Sequence, residues 1–77
     1  MPLPPKALPH ARYIVLEHEG AWKINLDNSY YGPFTSQAQA VETATDGAQK
    51  AAQAGYPASV LLMTGTNFET LWTNIEA

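Results

Sequence analysis

Cysteine is absent, so neither a disulfide nor a thiolate metal site can form. Small domains with thin stability margins gain from disulfides, metals or oligomerisation. With disulfides excluded, self-association is a route to stability on thermodynamic grounds. Positive charge is scarce and scattered, with Lys6, Arg12, Lys23 and Lys50 set against seven acids for a formal charge of −3. Neutralising a phosphate backbone takes clustered Lys and Arg, so this balance argues against a nucleic-acid partner. No apolar run approaches the roughly 18 residues that span a bilayer, and a membrane partner is not expected. Lys6 has no apolar stretch after it, so no secretory signal is expected and a cytoplasmic location is the default.

Chemistry-bearing patterns are also missing. The five glycines (Gly20, Gly32, Gly47, Gly55, Gly65) are dispersed, so no glycine-rich phosphate loop is present. His10 and His18 are the only histidines, too few for a zinc site of three or four convergent ligands. In Glu17-His18-Glu19 an extended backbone puts the two carboxylates on one face and the imidazole on the other. Nucleophilic catalysis needs a nucleophile beside a base that a third group holds, and no spacing here provides it. The seven acids favour no pair for acid–base work. The sequence therefore assigns no catalytic, cofactor-binding or metal residue, and the expectation is a non-enzyme without cofactors.

Proline and aromatic residues, by contrast, are well represented. Four of the six prolines fall in the first eleven residues, MPLPPKALPHA. Proline fixes φ and removes backbone donors, which predicts a disordered tail over 1–11 and one small domain over 12–77. Pro2-Leu3-Pro4-Pro5 fits the PxxP pattern that aromatic grooves bind. A chain of this size buries only about 60% of its unfolded surface. Even so, 45% of its residues are hydrophobic, among them two Trp, four Tyr and two Phe, enough to build a core.

Arg12–His18, aromatic and β-branched, predicts a first strand, and Gly20 supplies the turn after it. Trp22, Ile24 and Leu26 alternate with Lys23 and Asn25, so the second strand has one buried and one wet face. Asp27-Asn28-Ser29 breaks that strand. Tyr30–Phe34 is read as a lead into the helix, because Pro33 cannot donate to a ladder. Ser36 with Gln39 matches a capping box, and Thr35 is an equally acceptable cap. The helix should end near Ala54, where Gly55 suits C′ and Pro57 forbids continuation. Residues 58–64, ASVLLMT, read as a central strand, and Phe68–Thr73 as a closing one. The fold class is α+β in ββαββ order, a small antiparallel sheet with one helix packed on one face.

The helix's apolar face consists almost entirely of alanine: Ala38, Val41, Ala44, Ala48 and Ala52 recur at helical spacing. Small side chains bury little area but let another backbone come close. The flank Ala40, Gly47 and Ala51 is accordingly a candidate docking surface for a second subunit. Tyr30 and Tyr31 are adjacent, so only one can face inward. Tyr30 and Tyr31 are both candidate interface residues, since an exposed tyrosine brings large contact area at low entropy cost.

Tyr13-Ile14-Val15 leading to Gly20-x-Trp22-x-Ile24, then Phe34–Ala40 opening an alanine-rich helix, then an aliphatic strand and Phe68…Leu71-Trp72-Thr73, form a pattern. It resembles the small bacterial proteins grouped as domain of unknown function 2188, over roughly residues 12 to 74. That resemblance implies a compact α+β domain without an assigned activity. The Trp-bearing hairpin and alanine-spaced helix are also similar to the arm-binding domains of phage-type integrases. Those imply a basic sheet face, for which Arg12 and Lys23 are the residues on offer. The sequence thus points to a protein-interaction module acting as a homodimer or with another protein. The alternative is a nucleic-acid-binding accessory domain that uses its sheet face.

Overall fold

A computed structural model describes residues 10–74. The proline-rich pattern of residues 1–9 lies outside the described residues. Five strands and one helix follow in the order β1 (Ala11–His18), β2 (Ala21–Leu26), β3 (Ser29–Phe34), α1 (Gln37–Gln53), β4 (Ala58–Thr64) and β5 (Asn67–Thr73). The fold is α+β, with one helix packed on one face of a single sheet whose spatial order is β3-β2-β1-β4-β5.

Two features depart from the expected ββαββ antiparallel arrangement. Tyr30–Phe34 is not a lead-in but belongs to a third strand, paired antiparallel to β2. Asp27 and Asn28 both take positive φ, 54° and 67°. Asn and Asp tolerate this region, and a two-residue hairpin of the right twist needs it at both positions. Pro33 is accommodated because β3 is an edge strand and its register shifts between Trp22 and Ile24. The peptide bond before it is cis. The second departure follows from the first. A strand–helix–strand crossover joins parallel strands. Because β3 runs parallel to β1, α1 returns β4 parallel to β1 as well. The sheet is therefore mixed, with β1 and β4 side by side at its centre.

Local chemistry sets the element ends. Glu19 (φ 55°) and Gly20 (φ 79°) close the first hairpin by the same two-residue geometry. Ser36 caps the helix, its hydroxyl accepting from the Gln39 amide at 3.1 Å. The Gln39 carboxamide oxygen accepts in return from the Thr35 amide at 2.8 Å, so Thr35 and Ser36 share the task expected of either one. At the other end Tyr56 N–H bonds Ala51 and Gly55 N–H bonds Ala52, both at 3.0 Å, the paired closure that a left-handed Gly allows. Ser36→Ala is expected to lower the unfolding free energy by about 1 kcal/mol, measured as a shift of the urea midpoint.

Ala40, Ala44 and Ala48, all fully buried, bring α1 down onto β1 and β4, where Val15 and Val60 are also fully enclosed. Ile24, Ala58 and Leu62 complete the core, and Trp22, Phe34 and Trp72 pack around its edge. The apolar face is thus rotated from the expected one, leaving Ala38 exposed. Ala40 lies in the core, Ala51 packs against it, and the Tyr13 ring lies over Gly47. Ala40 is thus used for close approach between helix and sheet, whereas Gly47 and Ala51 are half-buried at the margin of that contact.

Candidate functional site

Among the described residues one helix covers only one side of the sheet, so the other face is open. Strand register assigns residues to it, because cross-strand partners share a face and neighbours along a strand alternate. Ile14 lies beside Asn25 and Leu61, and Leu61 lies beside Thr70. Arg12 lies beside Ser59, Leu16 beside Lys23, and Met63 beside Phe68. Phe68 is 57% exposed, and a shallow depression lies between it, Leu61, Ile14 and Arg12. Polar order on this face comes from His10, whose Nε2 pairs with the buried Ser59 hydroxyl at 2.8 Å.

Charge is sorted between the two sides. Arg12 and Lys23 are on the open face, whereas Glu17 and Glu69 alternate to the helix side and Glu42 and Asp46 are on the helix itself. The remaining described acids, Glu19 and Asp27, occupy the hairpin turns. Glu19 stands 3.7 Å from Lys23 and 3.6 Å from His18.

The two tyrosines diverge. Tyr30, opposite Asn25, is 48% exposed on the open face and stacks on the His18 ring, centroids 4.4 Å apart and planes 8° from parallel. Tyr31, opposite Ile24, is 52% exposed on the helix side. There it forms one wall of an apolar groove of about 320 Å³ between α1 and the β2–β3 hairpin. Tyr13 and Phe34 supply the other aromatic walls, Ile24 and Leu26 are apolar lining, and Asp46 and Lys50 stand at the helix. These last two pair at 3.1 Å and both remain well exposed, so the pair contributes little to stability. Gly47 leaves the groove its depth: a Cβ there would come 3.1 Å from the Tyr13 ring.

No family model, curated protein or solved structure matches this chain.

The five candidate interface residues therefore separate. Tyr30 and Tyr31 are accessible on opposite faces, Ala40 is fully buried against the sheet, Gly47 lines the groove, and Ala51 is half-buried. Sequence reasoning missed the groove and the apolar open face. The signal for the second lay in β4, where Leu61 and Met63 alternate with Val60 and Leu62 and so must face away from the helix. Among the described residues, no three His, Asp or Glu side chains gather where they could hold a metal ion.

The two sheet edges differ sharply. At one, β3 carries Gly32, Pro33 and a register shift, features that blunt an edge against further pairing. At the other, β5 has seven residues, no proline, no lysine and a single acid, Glu69. Among the described residues no further strand follows β5 in the sheet, and Phe68 and Leu71 are exposed on it.

Proposed function

We propose that this chain is a non-enzymatic protein-interaction module that joins a second copy of itself through β5 and the adjoining open face. The carrying observation is that β5 is an edge strand without proline or lysine, with Phe68 and Leu71 exposed on it, opposite an edge that carries proline. Antiparallel addition of β5 to its counterpart would continue the sheet across the two copies and cover open-face side chains at the same time. A two-fold arrangement does this with one patch on both copies. The proposal places the module in the cytoplasm, in keeping with a sequence that has no cysteine to oxidise.

Sedimentation equilibrium tests this reading. The chain is expected to run as a dimer at high micromolar concentration, and Phe68→Lys or Leu71→Lys should return it to a folded monomer. A wild-type chain that stays monomeric at that concentration would sink the proposal.

A second reading, a nucleic-acid accessory domain, draws support from Arg12, Lys23, Tyr30 and Phe68 sharing the face from which the strand acids are absent. Bases stack on such aromatics, and backbone phosphates need the cations. That reading requires binding that weakens steeply with salt. Single-strand titration at two ionic strengths decides between them, since a self-associating module shows no such binding.

A further inference from the structure

The groove walled by Tyr13, Tyr31 and Phe34 is separate from the β5 edge and open face and has a different chemistry. We propose that it is a binding site for a proline-rich segment followed by a cation, and that its occupant is the chain's own residues Pro2 to Lys6.

Three observations converge on that occupant. The first is the chemistry of the walls. Grooves lined by aromatic rings bind extended proline-rich segments because the rings stack on pyrrolidine faces and the ligand has little conformational entropy left to lose. Here three aromatic side chains surround Ile24 and Leu26, and Gly47 contributes no side chain to fill the space. The volume of about 320 Å³ lies at the low end for ligand cavities, which run roughly 300–1,000 Å³.

The second is charge. Pro2-Leu3-Pro4-Pro5 is followed directly by Lys6, the only cation in residues 1–9. Asp46 stands at the groove, and its present partner Lys50 is exposed enough to exchange for another ammonium. On the open face, by comparison, Lys23 stands 3.7 Å from Glu19, and Arg12 shares a hollow with Asp27.

The third is where the described chain begins. His10 and Ala11 border a small hollow with Leu26, and Leu26 also lines the groove. The described chain therefore begins beside one end of the groove. At about 3.1 Å per residue, an extended stretch of the nine residues before His10 reaches up to about 28 Å, enough to pass over the groove.

The cysteine-free sequence makes the test direct. Leu3→Cys in the full chain gives a single site for a nitroxide label, and amide signals are read by NMR with the label oxidised and reduced. Tyr31, Thr43 and Gly47 are expected to lose most of their intensity, and the loss should persist on dilution, as an intramolecular contact requires. In the Tyr31→Ala background, where an exposed edge residue is changed, the loss should disappear while the chain remains folded. Three results would overturn the proposal: no selective broadening, broadening centred on Ile14, Leu61 and Phe68, or broadening at the groove only in mixed samples where the label is on another copy. Because the groove and the β5 edge share no residue, this outcome does not depend on whether the chain dimerises.

Discussion

Ile24→Ala is expected to destabilise the chain by about 2–5 kcal/mol, the range for truncating a buried isoleucine in a core that cannot collapse around the gap. Ile24 is 3% exposed and sits among Val15, the helix alanines and the β4 aliphatics. A small domain holds only about 5–15 kcal/mol in total, so one such change removes a large share. For a domain of this size each kcal/mol lowers Tm by about 4–8 °C, and thermal unfolding followed by circular dichroism reads the effect directly. Ile14→Ala is the matched control, the same truncation on the open face. Its cost should be distinctly smaller in the monomer, and its main consequence should be weaker self-association. Equal losses at both positions would mean that the open face is as much a core as the helix side, contradicting the one-layer cover described above.

The second large effect concerns how closely the helix sits. Ala44→Leu is expected to cost about 1–3 kcal/mol or more, because added methylenes in a filled core force off-rotamer side chains and backbone shifts. Ala44 is fully buried between α1 and the β1–β4 pair. Ala38→Leu adds the same atoms six residues earlier, where the side chain is exposed, and should change stability by no more than about 0.5 kcal/mol. Urea denaturation of the pair measures the helix's rotation. If Ala38→Leu were the damaging change, the face read from alanine spacing alone would be correct and the packed face described here would be wrong.

Much of the architecture was legible because it rests on local chemistry. The span of β4 matches the apolar run Ala58–Thr64 residue for residue, and β1, β2, β5 and the helix begin and end within about a residue of their signals. Ser36, Gln39 and Gly55 act through atoms a few residues away, so their roles can be read from order in the chain. What was not legible depends on partners far away. β3 was missed because Pro33 argues against a ladder, and only an edge position with a register shift removes the objection. The parallel β1–β4 pair then follows from counting that strand. Helix rotation was hidden because alanines flank the face on both sides, so periodicity leaves the centre undetermined until Tyr13 is known to lie on Gly47. Alternation made it legible that Tyr30 and Tyr31 point opposite ways. The groove was not, since its walls come from β1, β3 and α1 together.

The central β1–β4 ladder also orders events in time. Its partners, Ala11 with Ala58 through Val15 with Leu62, are each separated by 47 positions along the chain, whereas every other ladder joins neighbouring hairpin strands. Hairpins with two-residue turns form in microseconds, but closing a long loop costs entropy that is recovered only when the distant ladder and the helix above it are in place. The three-stranded meander before α1 and the hairpin after it are each one-sided sheets without a cover, so neither persists alone. The β1–β4 seam under the helix is therefore the pairing that carries the chain's largest loop-closure cost, and contact order points to it rather than to any turn as the step that governs folding speed.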